Sequence, residues 1–300
     1  MTIAVYVQSR HAGIAKEEAT LTKTITGRIG LIGNPVEHSL SPAFQQAAFD
    51  ALGIPVTYEL WPTTGEQVQE RLAALRSGEI YGANVTVPHK EAFAAAVDRA
   101  SEVARRAGAV NTVMLDEDGQ LCGDNTDAYG FIQPLFERVF PFGVSDALIL
   151  GAGGAARGVV VALLDAGIHS IRIANRTLAR AETLARDLAD ERLSTCTLAG
   201  APEHAGEAGL VVNATALGWQ DEAPVGPDFF ERLEPTAIAY DLTYRQTPFL
   251  RAAAAAGLPT LDGLPMLVHQ GARSFEIWSG QQPPVDLMVR AATAARDARA

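Results

Sequence analysis

The stretch Asp146-Ala-Leu-Ile-Leu-Gly-Ala-Gly-Gly-Ala-Ala-Arg157 constrains the fold more than any other part of the chain. Four apolar residues, Ala147 to Leu150, run straight into Gly151, Gly153 and Gly154. An Ala-rich apolar segment then extends from Ala155 to Ala166. This order predicts a strand, a tight turn and a helix. Gly151 permits the turn, Gly153 lets the backbone approach a pyrophosphate, and Ala156 is small enough for the helix to lie tight on the strand. A helix starting there aims free N–H groups at the phosphates. The same glycine pattern also fits a plain strand–turn–helix, so the flanking sequence has to decide.

Ser170 to Ala174 reads as a second strand. It ends at Asn175-Arg176-Thr177, with Arg180 close behind. A site for NAD usually places Asp or Glu there, to hold the ribose 2′-hydroxyl. Here the position is Asn175, flanked by two guanidinium groups that match a phosphate with paired hydrogen bonds. The expected cofactor is therefore NADP, with two solvated surface arginines as the alternative reading.

The same alternation continues along the chain. Strands are expected near 147–150, 170–174, 194–199, 210–214, 236–242 and 259–261, and helices near 154–166, 178–190 and 247–256, which implies a parallel sheet. Upstream, the pattern predicts strands at 28–32, 56–61 and 81–87, a hairpin at 110–115 and 120–122, and helices at 41–52, 65–76, 91–97 and 101–107. Another helix leads from the 123–130 stretch to about residue 139. In the helix at 41, Ser41 is read as the N-cap and Pro42 as the first helical residue. Two further helices, 264–279 and 285–298, follow the last strand and are expected to return to the first domain.

The fold class is α/β with two domains. Residues 27–127 plus 264–300 form an N-terminal α/β domain, and residues 128–263 form a Rossmann-type nucleotide-binding domain. Residues 1–26 are an extension with no apolar core of a signal peptide. They fit an extra strand, a disordered lead or a misplaced start.

Composition narrows the function. A net charge of −11 argues against nucleic acid or an anionic membrane as the main partner, so local positive groups must hold any anionic ligand. Cys122 and Cys196 are the only cysteines. They form no metal-ligand cluster and suit a reducing, cytoplasmic compartment. The six histidines make no HExxH motif, and no metal is expected. No run approaches the ~18 apolar residues of a membrane span.

A set of ordered motifs resembles the shikimate dehydrogenase family over nearly everything from Arg28 to Gly280. They are Gly33-Asn-Pro-Val-Glu-His-Ser-Leu-Ser-Pro42, Asn84-Val-Thr-Val-Pro-His-Lys90, Gly108-Ala-Val-Asn-Thr112 and Gly123-Asp-Asn-Thr-Asp127. Later come Gly151-Ala-Gly-Gly-Ala155, Asn175-Arg-Thr177, Asn213-Ala-Thr215 and Gly263-Leu-Pro-Met-Leu-Val-His-Gln270.

The resemblance implies an NADPH-dependent, reversible reduction of 3-dehydroshikimate to shikimate in aromatic amino-acid biosynthesis. By resemblance, Ser39 and Ser41 bind the substrate carboxylate, with Tyr244 beside it. Asn84, Thr86, Asn111, Asp127 and Gln270 hold the ring hydroxyls. Neutral donors and acceptors on loops suit such a ligand. Singly, each also has a structural reading: Ser41 as a cap, Thr86 as a strand residue, Asn84 and Asn111 as turn residues. Lys90 and Asp127 are the expected catalytic pair, because ketone reduction needs a proton for the nascent alkoxide. A structural salt bridge is the other reading of that pair. On the cofactor side the resemblance implies Gly151, Ala152, Gly153, Gly154, Ala155, Asn175, Arg176, Thr177, Arg180, Thr215, Leu242 and Gly263.

Several positions depart from the family pattern. Ala216 stands where Ser is usual, and Trp219 where Met is usual, a position that borders the nicotinamide. Gln45-Gln46 replaces His-Asn, a change read as minor. The Tyr244-Arg-Gln-Thr-Pro248 loop looks shorter than is common, which loosens the placement of Tyr244. Two other functions remain in view: a quinate/shikimate or aminoshikimate dehydrogenase of the same superfamily, and a silent binding or regulatory module. The expected architecture is two α/β domains with a ligand cleft, as a monomer or homodimer with a small-molecule substrate.

Overall fold

The computed structural model describes residues 25–299 of the 300-residue chain. The chain divides into two compact units. Among the described residues, one comprises 25–130 with 267–299, and the other is Phe131–Met266. The joins lie three residues beyond those expected at 127 and 263. Both fall inside helices, whose interiors carry weaker sequence signals than their caps.

The first unit is built on a six-stranded mixed sheet with strands β1 (Gly27–Gly33), β2 (Val56–Pro62), β3 (Gly82–Val85), β4 (Arg99–Ala100), β5 (Thr112–Leu115) and β6 (Leu121–Asp124), in the order β2-β1-β3-β5-β6-β4. β1 runs parallel to both β2 and β3, while β3 and β5 are antiparallel. β5 and β6 form the expected hairpin, with Val113 opposite Gly123. The helices are α1 (Ser41–Ala51), α2 (Val68–Arg76), α3 (Lys90–Ala96), α4 (Glu102–Ala107) and the first turn of α5 (Thr126–Glu137). Ile32, Leu75, Val85, Phe93 and Val113 share one buried cluster. Burying a side chain such as Phe93 contributes about 1.5–3 kcal/mol.

The last two helices, α9 (Leu264–Ser279) and α10 (Val285–Asp297), belong to this unit except for the first three residues of α9. Trp278 on α9 donates its indole N–H to the Val113 carbonyl at 3.1 Å, and Tyr81 donates its hydroxyl to the Trp278 carbonyl at 3.3 Å. Gly82 makes room for that indole: a Cβ there would lie 2.7 Å from Trp278 Nε1.

The second unit carries a fully parallel sheet of β7 (Asp146–Leu150), β8 (Ser170–Asn175), β9 (Leu193–Thr197), β10 (Ala208–Asn213), β11 (Ile238–Asp241) and β12 (Thr260–Leu261). The order β12-β11-β10-β7-β8-β9 reverses direction between β7 and β10. In a doubly wound sheet that reversal marks the ligand-binding crevice at the carboxyl ends of the strands. Three helices cover it, α6 (Gly154–Asp165), α7 (Leu178–Leu188) and α8 (Pro248–Ala255). Leu148, Leu150, Val211, Phe230 and Phe249 form its core.

Several expectations need correction. The strand expected to run to residue 199 stops at Thr197, and Leu198–Glu207 winds as 3₁₀ helix around Pro202. The strand expected over 81–87 ends at Val85, where a turn leads to Pro88. Arg99–Ala100 is a short strand that no periodicity signalled. Ser41 does not cap α1. Leu40 holds the cap position, and the Ser41 amide donates to the Ser39 hydroxyl at 3.2 Å. Nor is Gln45-Gln46 structurally minor. Gln45 is fully buried and donates to the Gly271 carbonyl at 2.9 Å. Gln46 accepts from the Tyr58 amide at 2.8 Å and donates to the Val56 carbonyl at 3.0 Å, tying α1 to β2.

Candidate active site

Lys90 opens α3 immediately after the Pro88-His89 turn, and Asp127 is the second residue of α5. Their side chains meet with Nζ 2.5 Å from Oδ2, each about a quarter exposed. Asn111 donates to the other carboxylate oxygen of Asp127 at 2.9 Å, so both oxygens are engaged. Asn111 is itself locked: its Oδ1 accepts from the Thr126 amide at 2.7 Å. The Val110 amide donates to the Lys90 carbonyl at 3.0 Å, tying the segment before Asn111 to the start of α3. His89, buried beside Lys90, bonds the Thr63 carbonyl through Nε2 at 2.6 Å.

Behind this pair lies a buried network of neutral polar groups. Asn84 donates from Nδ2 to Ser274 Oγ at 2.9 Å, and lies 3.2 Å from both the Asn111 carbonyl and Thr112 Oγ1. Gln270 Oε1 lies 3.4 Å from Asn111 Nδ2, and its own amide donates to the Leu267 carbonyl at 2.9 Å. Thr112 and Thr126 each reach Ser274 Oγ, at 2.7 and 3.1 Å. Asn84, Asn111 and Gln270 are thus brought together. Thr112, Thr126, Ser274 and Tyr58 complete the network and were missed. Ser274 had a signal, one helical turn after Gln270 on the same face of α9. Tyr58 had only the alternation of β2.

Ser39 is half-buried on the loop before α1, and Ser41 is buried at its first turn. Ser41 does not cap the helix. Burial pushes the Tyr58 hydroxyl far above the usual phenol range. Thr86 is half-buried just past β3, its amide donating to the Ile32 carbonyl at 2.8 Å.

In the second unit, Gly151 takes φ +115°, and a Cβ there would lie 3.1 Å from the Ala214 carbonyl. The loops after β7 and β10 are therefore close neighbours at the reversal point. Gly153 and Gly154 differ: a Cβ at either would meet no atom within 4 Å. Among the described residues no packing demands glycine there, and the loop is left open to a ligand. Ala152 is half-buried, and Ala155 is exposed in the first turn of α6. No side chain caps that turn and no acidic residue enters it, which leaves its N–H groups for an anion. Arg176 and Arg180 are exposed beside Asn175 and make no ion pair among the described residues. Asn175 donates to the Thr177 carbonyl at 2.8 Å, which fixes that turn. These features fit a phosphorylated dinucleotide.

Thr215 bonds Asn213 Oδ1 through its hydroxyl at 2.7 Å, and Asn213 donates to the buried Asp241 carboxylate at 2.8 Å. The Leu242 amide reaches the Asn213 carbonyl at 3.3 Å. A Cβ on Gly263 would collide with the Leu242 carbonyl, so this glycine is required by close backbone approach. Tyr244 is half-buried, with its ring edge-on to Trp219 at 5.0 Å. Arg245 stacks over the same indole at 5.1 Å and donates to the Gly218 carbonyl at 2.8 Å. The larger ring at 219 is thus held from two sides and half exposed. Among the described residues, no group of His, Cys, Asp and Glu could hold a metal ion, and no helix is long and apolar enough to cross a membrane.

Three family models match the chain. The shikimate dehydrogenase substrate binding domain covers residues 31–113, shikimate/quinate 5-dehydrogenase covers 135–218, and the shikimate 5′-dehydrogenase C-terminal domain covers 263–293. A shikimate dehydrogenase (NADP(+)) of Geobacillus kaustophilus is 42% identical over 262 residues, which is 86% of this chain and 95% of the relative. The chain belongs to the shikimate dehydrogenase family. Within that family, a crystal structure of shikimate 5-dehydrogenase from Thermus thermophilus in complex with NADP(H) and shikimate is similar with a TM-score of 0.81. Its identity is 42%, covering 90% of this chain and 100% of that one. A quinate dehydrogenase from Corynebacterium glutamicum in complex with NAD has the same TM-score at 30% identity, covering 90% and 99%.

Proposed function

We propose that the chain catalyses the reversible, NADPH-dependent reduction of 3-dehydroshikimate to shikimate in aromatic amino-acid biosynthesis. The observation that carries this reading is the Lys90–Asp127 pair, with Asn111 bound to the carboxylate and Gln270 beside Asn111. A purely structural ion pair does not need a bed of neutral donors and acceptors, whereas a polyhydroxylated substrate does. The identity to NADP(+)-dependent relatives, together with Arg176 and Arg180, supports NADP as the cofactor.

Bound NADPH supplies the hydride. As the carbonyl carbon is reduced, its oxygen gains negative charge, and the Lys90 ammonium stabilises that charge and delivers the proton. Asp127 holds Lys90 at hydrogen-bonding distance and accepts from a ring hydroxyl, while Asn111 fixes the carboxylate. Lys90 is partly exposed, so it regains its proton from solvent. Ser39 and Ser41 take the substrate carboxylate, and Asn84, Thr86 and Gln270 take ring hydroxyls. Tyr244 has the carboxylate assignment that the resemblance gives it. Gly151 to Ala155, Asn175 to Thr177, Arg180, Thr215, Leu242 and Gly263 bind the cofactor. A biosynthetic reductase of this kind works in the cytoplasm, where Cys122 and Cys196 stay reduced.

The test is NADPH oxidation with 3-dehydroshikimate, run beside 3-dehydroquinate and beside NADH. The expected outcome is highest kcat/KM for 3-dehydroshikimate with NADPH. Preference for 3-dehydroquinate would move the chain to the quinate branch. Tight binding of shikimate without any turnover would make it a silent binding module.

A further inference from the structure

We propose that Tyr58 is a positioning residue for substrate recognition, fixing the amide of Asn84 at the ring-binding end of the site. The inference rests on the proposed activity and adds to it a residue that touches neither substrate nor cofactor. Tyr58 lies in the middle of β2 with 5% of its surface exposed. Its hydroxyl donates to Asn84 Oδ1 at 2.8 Å.

The geometry determines what that oxygen does. An asparagine amide can turn over and exchange its donor and acceptor ends. At Asn84 the nitrogen end faces three oxygens: the Asn111 carbonyl, Thr112 Oγ1 and Ser274 Oγ. The oxygen end faces the Tyr58 hydroxyl. Tyr58 thus fixes the amide of Asn84 in one orientation. The indole of Trp278 flanks the tyrosine ring at 6.4 Å between centroids, and Gln46 accepts from the backbone amide of Tyr58.

The experiment is Tyr58→Phe, which keeps the ring and removes only the oxygen. The expected result is a rise of about tenfold in KM for shikimate, with kcat and KM for NADP within about twofold of wild type. An unchanged KM for NADP shows that the variant is folded. A double-mutant cycle with Asn84→Ala then separates positioning from general stability. If Tyr58 acts through Asn84, removing its hydroxyl in the Asn84→Ala background raises KM little further. Additive effects, or an unchanged KM for shikimate in Tyr58→Phe, overturn the proposal. If Tyr58→Phe is too unstable to assay, 3-fluorotyrosine placed at position 58 keeps the shape and strengthens the donor. It must shift KM for shikimate and not that for NADP, and no shift overturns the proposal. Failure of the wild-type chain to turn over shikimate would instead sink the proposed function.

Discussion

The Lys90 ammonium and the Asp127 carboxylate lie 2.5 Å apart although 37 positions separate them in the chain. Each stands at the start of a helix, and Asn111 binds the carboxylate oxygen that Lys90 leaves open. The pair is therefore held from both sides while staying partly accessible.

Removing the ammonium tests its role directly. Lys90→Ala should lower kcat by about 10²–10⁴-fold, the usual yield of a positioned acid or base. The thermal transition and NADPH binding should stay near wild type, because a partly exposed ion pair adds little stability. Near-normal turnover would remove Lys90 from the chemistry.

Cofactor preference should depend on the two free guanidinium groups. Arg176→Ala should raise KM for NADPH by about tenfold and leave KM for NADH within about twofold. Steady-state kinetics with both cofactors measures the ratio. An equal rise for the two would place Arg176 on a part of the nucleotide that they share.

Two glycines of the second unit should behave in opposite ways. Gly153→Ala adds a Cβ into open space, so Tm should hold while KM for NADPH rises severalfold. Gly263→Ala drives a Cβ into the Leu242 carbonyl and should cost about 1–3 kcal/mol of stability. Thermal melts paired with kinetics distinguish them, and a large loss of Tm at Gly153 would refute the ligand explanation for that glycine.

The acid limb of stability has an assignable contributor. Arg76, 2.6 Å away, and the Leu121 amide hold the Asp98 carboxyl down to about 2, against an ordinary value of 3.8. A depressed carboxyl contributes its stabilisation above the unfolded value and loses it as pH falls toward the folded one. Asp98→Asn should therefore lower Tm at neutral pH, and the gap to wild type should close between about pH 4 and pH 2. A gap that persists at pH 2 would mean the lost interaction was not ionic.

Much of the second unit was legible in the sequence because its signals are local. Apolar runs punctuated by glycine gave β7, β8 and α6 to within a residue or so at each end. The 3₁₀ segment at 198–207 was not legible, since a short apolar run does not distinguish strand from helical turn. In the first unit, Asn84, Asn111 and Gln270 were pointed to by the resemblance of their motifs to the shikimate dehydrogenase family. Ser274 and Tyr58 were not, because serine on a helix and tyrosine in a strand are ordinary occupants of such positions.

The sequence by itself determined the two α/β units and the glycine loop with its arginines, and the family resemblance of its motifs supplied the residues of the proposed acid–base pair. The units and the loop are written in residue type and short-range period, which the backbone obeys locally. Only the tertiary structure decided that Ser41 does not cap its helix and that Tyr58 bonds Asn84. It also decided that Ser274, on a helix 190 positions away, accepts from the Asn84 amide. Those outcomes depend on which buried donors and acceptors the fold brings within hydrogen-bonding reach of each other, and one-dimensional spacing does not encode that.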